Sequence, residues 1–260
     1  MAIKSAIKGK KMIFKRKIRK TLLYCVCIIC ILLMFYYGKK IIIWLKDNNH
    51  STEMMNEIQK IGFINNNEED KVDLETIKKI NHETVGWIKV KNTNINYPIV
   101  QTSNNDYYLK HSFDKKINNA GWIFADFRNK FDNTDKNIII YGHNRRDGSM
   151  FGTLKNVLEK KWYNNEENMI INMIIGEEEY QYIVFSVYKI EKEEYYLTTN
   201  FDNEKSFEDY IKRAKTRSIK DFNIEVSNKD NLLTLSTCAD SNKLRVVMHS
   251  KKINSSKITK

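Results

Sequence analysis

Proline and glycine are scarce in this sequence, which has one proline and nine glycines in 260 residues. A single proline excludes a proline-rich linker and a collagen-like repeat. Hydrophobic residues make up 42% of the chain, which is too much for a wholly disordered protein. The length suits one domain of ordinary size with appended segments, or at most two small domains.

Acidic residues are absent from the first 46 positions, and this absence accounts for most of the net charge of +12. Nine Lys and Arg residues lie within residues 1–20, and Lys39 and Lys40 add two more. From Lys46 onward the chain has 33 basic and 32 acidic residues, so its bulk is almost neutral. A nucleic-acid-binding domain would carry the positive charge itself, and we therefore expect no nucleic-acid partner.

One long hydrophobic run extends from Leu22 to Tyr37, and a shorter one, Ile41–Leu45, follows two lysines. The longer run would form about 24 Å of helix, and snorkelling lysines extend it towards the roughly 30 Å core of a bilayer. The run is apolar on every face, which argues against a buried core helix. We predict a transmembrane signal anchor over residues 22–45.

The basic flank of this run sets its predicted orientation. Positive charge on the N-terminal side predicts that residues 1–21 are a cytoplasmic tail and that the later chain is extracellular. A cleaved signal peptide is the alternative, but it would have a shorter apolar core and a small-residue cleavage site. Neither is visible here. The sequence therefore favours a single-pass membrane protein.

The four cysteines leave a single thiol, Cys238, outside the predicted membrane segment. Cys25, Cys27 and Cys30 lie inside it, and we interpret them as small apolar residues because a metal site there would place thiolates in hydrocarbon. One exported thiol cannot form an intramolecular disulfide. No Cys/His cluster with ligand spacing occurs elsewhere, so we expect no metal and no other cofactor.

The pattern of the exported part changes at Val85. Residues 46–84 are polar and helix-compatible, and are predicted to form a stalk and N-terminal helices, one of them over residues 73–83 with Asp73 as its cap. Short β-type runs follow, separated by Asn, Asp and Gly. The eight predicted strands are 85–90, 95–100, 121–125, 137–142, 169–174, 180–190, 232–237 and 244–249.

Eight short strands in about 165 residues predict a mainly β domain that closes into a barrel, because closure removes exposed strand edges. We assign this barrel to residues 85–252 and a polar C-terminal tail to residues 253–260. Two helical segments interrupt the strands. They are 149–160, with Ser149 as a possible cap, and 204–219, which carries an apolar stripe.

Cys238 closes a predicted strand on which Thr234, Ser236 and Cys238 share one face. A thiol among hydroxyl groups at a strand end is poorly placed for core packing. A six-residue connection to the next strand would put Cys238 opposite Arg245, with Cβ atoms about 4.5–5.5 Å apart. A five-residue connection would put the two on opposite faces.

A cysteine nucleophile needs a proton acceptor, which is usually histidine. His143 directly follows a predicted strand and its glycine, the place where a barrel presents catalytic groups. Cys238, His143 and Arg245 are therefore the candidate catalytic residues; an unreactive cysteine with a surface histidine and a structural arginine is the alternative. The other exported histidines lie in the polar lead-in or suit surface and packing roles: His50, His82, His111 and His249.

Local sequence strings add a family resemblance. Residues 234–238, Thr-Leu-Ser-Thr-Cys, match the TLxTC signature of sortases, the membrane-anchored transpeptidases of Gram-positive bacteria. Residues 141–144, Tyr-Gly-His-Asn, resemble their histidine motif, and Arg245 sits where their arginine follows the cysteine. Residues 96–109 and 121–126 resemble the class B subgroup in particular. The resemblance extends over about residues 50–252 and implies an eight-stranded sortase-type β-barrel with a helix between the sixth and seventh strands.

The resemblance also implies a reaction. Cys238 would attack an LPxTG-like C-terminal sorting signal of a secreted protein and form a thioester, which a peptidoglycan amine would resolve. His143 would transfer protons and Arg245 would stabilise the oxyanion. Two other functions stay open: a membrane-anchored cysteine peptidase that hydrolyses its substrate, and a non-catalytic cell-surface binding module. The implied substrate-binding residues are Asn105, Leu109, Tyr141, Ser236, Thr237 and Asp240.

Overall fold

The computed structural model describes residues 2–66, 69–191, 193–238 and 244–257, with the backbone alone at residues 2–16, 63–66, 69–71, 238 and 257. The chain divides into two compact units, Met1–Asn49 and His50–Lys260.

The first helix, α1 (Ala2–Gly62), contains the predicted membrane segment. From Lys17 onward it has a stretch of 18 residues with a mean hydropathy of 2.2, which makes it long and apolar enough to cross a membrane. The large apolar side chains between Leu22 and Leu45 are exposed. The helix also extends through much of the predicted stalk.

A short antiparallel hairpin follows, formed by β1 (Phe63–Asn66) and β2 (Glu69–Val72). It was not predicted, because strands of four residues have too few positions for an alternating pattern to stand out. The predicted helix over residues 73–83 is present as α2 (Leu74–Ile80). Asp73 caps it, since its carboxylate accepts the N–H of Thr76 at 3.0 Å.

Eight further strands close into a barrel in the order β10-β8-β7-β3-β4-β5-β6-β9, which confirms the predicted architecture. Two neighbouring pairs, β4–β5 and β6–β9, are parallel, and the others are antiparallel. The last strand extends to residue 257, so residues 254–257 of the predicted tail pair with β8 after a register shift at Ile253. The barrel strands are β3 (Thr84–Val90), β4 (Asn96–Val100), β5 (Phe124–Ala125), β6 (Asn137–His143), β7 (Ile170–Ile175), β8 (Glu178–Glu191), β9 (Leu232–Cys238) and β10 (Leu244–Lys257).

Helix α4 (Glu204–Arg217) lies between the sixth and seventh barrel strands, as predicted. A reciprocal capping box of Asn203 and Ser206 starts it, and its buried stripe is the predicted one. The stripe packs with Leu232 and Val247 in a cluster separate from the main core, which contains Leu233 and Leu235. The two faces of β9 therefore serve two different hydrophobic clusters.

The helix predicted over residues 149–160 is wrong. A 3-10 helix, Leu154–Leu158, and the four-residue α3 (Lys160–Tyr163) occupy this region instead. Met150 has φ of 52°, a left-handed conformation that does not continue a right-handed helix. Ser149 does not cap a helix, since its hydroxyl donates to Asp147 Oδ1 at 2.6 Å within a turn.

Candidate active site

The parallel pairing of β6 with β9 brings the candidate histidine and cysteine together. The register aligns Tyr141 with Ser236 and His143 with Cys238, the last residue of each strand. Neighbouring strands lie about 4.8 Å apart, and residues in register project to the same face. His143 and Cys238, which are far apart in the sequence, therefore lie side by side at the ends of two adjacent strands.

Arg245 reaches the same place from β10. The antiparallel pairing of β10 with β9 begins at Val247 and Ser236, and Arg245 lies two residues before Val247 just as Cys238 lies two residues after Ser236. The predicted six-residue connection between Cys238 and Arg245 includes residues 239–243, which lie outside the described residues. Arg245 Nη1 donates to the carbonyl of Thr237 at 3.0 Å, and the Thr237 hydroxyl accepts the N–H of Val246 at 2.9 Å. Arg245 Nε is buried and has no hydrogen-bond partner among the described residues.

His143 is 9% exposed, and its Nε2 lies 2.8 Å from the carbonyl oxygen of Leu109. A carbonyl can only accept, so Nε2 carries the proton and Nδ1 is the basic nitrogen of the neutral ring. Gly121 packs against this ring at φ of +62°, where an added Cβ would lie 2.7 Å from His143 Cδ2. Leu109 therefore contributes a backbone atom to the site, a contact that sequence reasoning missed.

The chain after His143 folds back on it. The carbonyl of His143 accepts the N–H groups of Arg145 and Phe151, both at 3.0 Å. Arg145 Nη2 lies 3.1 Å from Asp147 Oδ2, and both side chains are largely buried. Burial raises the pKa of Asp147, but hydrogen bonds from Ser149 and Arg145 outweigh it and leave the pKa lowered. A closed turn with an internal ion pair thus holds the end of β6.

Two of the proposed substrate-binding residues meet a third side chain that sequence reasoning did not select. Asn105 Nδ2 donates to Asp126 Oδ2 at 3.0 Å, and the Tyr141 hydroxyl donates to the same oxygen at 2.8 Å. Asp126 is fully buried, and Arg128 donates to it from Nε and Nη2. The signal in the sequence was a lone acid at the end of an apolar strand with an arginine two residues later.

Ser236 is also fully buried, and its hydroxyl lies 3.1 Å from that of Tyr196 in the 3-10 helix Tyr195–Leu197. The side chain of Leu109 is half-buried and packs on the main core. Asp240, the remaining predicted substrate-binding residue, lies outside the described residues, as does the side chain of Cys238. The described site is therefore built from β6, β9, β10 and the segments around Leu109 and Asp126.

The other histidines have contacts away from these strand ends. His50 Nε2 lies 3.1 Å from Asp114 Oδ1, and His111 stacks on Tyr107 with ring centroids 3.9 Å apart. His249 is fully buried between the hydroxyl groups of Tyr188 and Thr234, and burial lowers its pKa to about 3. Within the described part of the chain, no group of three or more His, Cys, Asp and Glu residues could hold a metal ion.

Comparisons with known proteins give the family. The model of the sortase domain matches residues 88–253. Sortase B of Listeria monocytogenes serovar 1/2a is 36% identical over 224 residues, which cover 83% of this chain and 90% of that protein. Sortase B of Staphylococcus aureus is 33% identical over 224 residues, covering 85% and 91% of the two chains.

Solved structures agree. The Staphylococcus aureus sortase B–substrate complex is 35% identical, with a TM-score of 0.66 over 71% of this chain and 85% of that chain. Sortase B from Bacillus anthracis is 32% identical, with a TM-score of 0.72 over 81% and 99% of the two chains. The family model covers more than half of this chain, and two relatives above 30% identity cover most of it. The chain therefore belongs to the sortase family, as a cysteine transpeptidase of class B.

Proposed function

We propose that this sortase cleaves an LPxTG-like C-terminal sorting signal of secreted proteins and transfers them to a peptidoglycan amine. The observation that carries this proposal is the register of β6 with β9, which aligns His143 with Cys238, together with the bond from Arg245 Nη1 to the carbonyl of Thr237, the residue before Cys238. A nucleophile, a proton carrier and a fixed cation on three adjacent strands suit acyl transfer.

In the proposed first step, His143 Nδ1 takes the proton of the Cys238 thiol, and the thiolate attacks the scissile carbonyl carbon and forms a C–S bond. The C–N bond then breaks, and His143 gives its proton to the departing amine. His143 then takes a proton from an incoming amine, and this amine attacks the thioester. The C–S bond breaks and releases the Cys238 thiolate. One imidazole serves both steps because a ring nitrogen can take up a proton in one step and give it up in the next.

Arg245 is proposed to stabilise the oxyanion that forms in both steps. The bond from Nη1 to the Thr237 carbonyl fixes the orientation of its guanidinium. Its buried Nε–H lacks an acceptor among the described residues, so the oxyanion would supply one. We assign binding of the sorting signal to Asn105, Leu109, Tyr141, Ser236, Thr237 and Asp240.

Relatives support the choice of substrates. One solved sortase B structure is a substrate complex, and another is complexed with triglycine. We extend from these to a sorting-signal peptide as acyl donor and an amino group as acceptor for this chain. The apolar part of α1 supports a single-pass membrane anchor with the N-terminus in the cytoplasm and the barrel outside.

The test uses the full-length protein in detergent, a peptide carrying the sorting signal and triglycine as the amine. We expect cleavage, a product joined to triglycine, and loss of both in Cys238→Ala with the fold retained. A product that ignores triglycine would identify a hydrolytic peptidase. Cleavage that persists in Cys238→Ala would remove Cys238 from the mechanism. No cleavage of any sorting signal by the wild type would favour a binding module.

A further inference from the structure

The carboxylate of Asp126 is the most heavily hydrogen-bonded acid near the proposed site, and none of it is exposed. Oδ1 accepts the backbone N–H of Arg128 at 3.0 Å and its Nε–H at 2.8 Å. Oδ2 accepts from Arg128 Nη2 at 2.7 Å, the Tyr141 hydroxyl at 2.8 Å and Asn105 Nδ2 at 3.0 Å. Both carboxylate oxygens are thus surrounded by donors.

These bonds connect three separate segments of the chain. Asn105 lies in the connection between β4 and β5, and Tyr141 lies on β6 two residues before His143. Arg128 Nη2 also donates to the carbonyl of Leu197 at 2.7 Å, in the same 3-10 helix whose Tyr196 contacts Ser236. Three segments that contribute or contact proposed substrate-binding residues therefore converge on one ion pair.

The hydrogen bonds also fix what Asn105 and Tyr141 can offer to a peptide. Asn105 Oδ1 accepts the N–H of Phe127 at 3.0 Å, so the orientation of its amide is set at both ends. One N–H of Nδ2 is used by Asp126, and the other can donate to a peptide carbonyl. The Tyr141 hydroxyl donates its hydrogen bond to Asp126, so its oxygen can accept a hydrogen bond from a peptide N–H.

The stability of the fold does not explain why a charged carboxylate is buried at Asp126. A buried ion pair costs desolvation, and a well-packed apolar replacement is often at least as stable. Burial raises the pKa of Asp126, but the hydrogen bonds from Arg128 and Tyr141 outweigh it and leave the pKa lowered. The group is therefore an ionised acceptor at neutral pH, which can hold three side-chain donors in fixed directions.

We propose that Asp126 is a positioning residue of this sortase, which orients Asn105 as a donor and Tyr141 as an acceptor for the sorting-signal peptide. The proposal rests on the proposed function, because it concerns how that peptide is held. Arg128 completes the arrangement by anchoring the carboxylate and linking it to the Leu197 segment.

Asp126→Asn tests the proposal with a side chain of nearly the same shape. In either orientation of the new amide, an NH₂ group faces at least two donors, so those hydrogen bonds are lost. We expect KM for the sorting-signal peptide to rise about tenfold while kcat changes little, because binding groups and not reacting groups are disturbed. The rate of Cys238 alkylation by iodoacetamide should stay close to that of the wild type.

Asp135→Asn is the matched control. Asp135 is 3% exposed, lies in the same connection between β5 and β6, and accepts the backbone N–H groups of Lys130 and Phe131. It should lose stability as Asp126→Asn does but keep the wild-type KM. Equal changes of KM in the two variants would mean that Asp126 acts only by supporting the fold.

A double-mutant cycle separates positioning from indirect effects. In a background with Asn105→Ala and Tyr141→Phe, Asp126→Asn should change KM by less than about twofold, because the groups it orients are gone. A full additional tenfold effect would overturn the proposal. Arg128→Lys, at a side chain that is 43% exposed, provides a second variant if Asp126→Asn does not fold. Its KM should rise, and a wild-type KM would contradict the proposal.

Different results would overturn the positioning role of Asp126 and the proposed function of the protein. An active wild type whose KM is unchanged in Asp126→Asn and Arg128→Lys overturns the positioning role alone. A wild type that processes no sorting-signal peptide overturns the proposed function and the positioning role with it.

Discussion

At the scale of single residues, the Arg245 guanidinium has one N–H group in a hydrogen bond and another that is buried without an acceptor among the described residues. Its Nη1 bond to the Thr237 carbonyl fixes the guanidinium, and its Nε–H is buried without a partner among the described residues. A buried donor left unpaired costs about 1–3 kcal/mol, so its retention favours a role with a bound acceptor. An oxyanion that exists only during the reaction is such an acceptor.

Arg245→Lys should therefore lower kcat by about 100-fold or more although the charge is kept, because a single ammonium cannot replace two fixed N–H donors. Steady-state kinetics with the sorting-signal peptide measures the loss. Arg146→Lys is the control, since Arg146 is exposed and only three residues beyond His143. Near-normal turnover in Arg245→Lys would contradict the role of the guanidinium fork.

Gly121 offers a second test at this scale, directed at the imidazole. A methyl group there would lie 2.7 Å from His143 Cδ2 and 2.6 Å from the Tyr108 carbonyl. We expect Gly121→Ala to displace the ring from Leu109 and to lower kcat. Gly176→Ala is the control, because Gly176 shares the left-handed backbone, with φ of +60°, but an added Cβ there meets nothing within 4 Å.

Both glycine variants should lose stability from backbone strain, on the order of 1 kcal/mol as measured by thermal unfolding, and Gly121→Ala should lose more because its Cβ also meets the Tyr108 carbonyl. Only Gly121→Ala should lose activity. Equal activity in the two variants would mean that the ring tolerates displacement and that its bond to the Leu109 carbonyl does not matter for turnover.

At the scale of elements, His249 joins the barrel to the cluster beneath α4. Its Nε2 lies 2.8 Å from the Tyr188 hydroxyl and its Nδ1 lies 2.9 Å from the Thr234 hydroxyl. Burial lowers its pKa from 6.5 to about 3. In this pH range His249 therefore binds a proton in the unfolded chain but stays neutral in the folded chain. The stability of the fold falls as the pH drops from 6.5 towards 3.

The carboxylate of Asp126 affects the stability of the fold in a lower pH range than His249 does. The pKa of Asp126 is lowered from 3.8, so its contribution is lost only below that value. Between about pH 7 and pH 5, urea unfolding should show a loss of stability that is reduced in His249→Gln. His82→Gln, at an exposed histidine, should keep the wild-type pH dependence. An unchanged pH dependence in His249→Gln would rule out this assignment.

The elements also show what the sequence could predict. Short β-type runs identified all eight barrel strands, and the apolar stripe of 204–219 identified α4, because both patterns report burial directly. The predicted helix over 149–160 failed since Met150 adopts a left-handed backbone that composition does not reveal. The contact of His143 with Leu109 was invisible because it uses a carbonyl, which every residue has. The Asp126 cluster depends on three segments that only the fold brings together.

At the scale of the whole molecule, the apolar segment of α1 and the barrel have separate roles in the proposed function. The chain divides into compact units at Asn49 and His50, and the buried Met54, Met55 and Ile58 lie on the barrel's side of that division. Deletion of residues 2–45 therefore removes the apolar segment and leaves these core contacts in place.

The shortened protein should leave the membrane fraction, unfold at nearly the same temperature as the full chain, and keep its kcat/KM for a soluble sorting-signal peptide. In cells, however, attachment of secreted proteins to the wall should fall steeply, because the deletion removes the predicted signal anchor that would export the barrel and hold it at the membrane. Fractionation, thermal unfolding, steady-state kinetics and cell-wall extraction measure the four effects. Loss of activity on the soluble peptide would mean that the apolar segment supports the barrel itself and is more than an anchor.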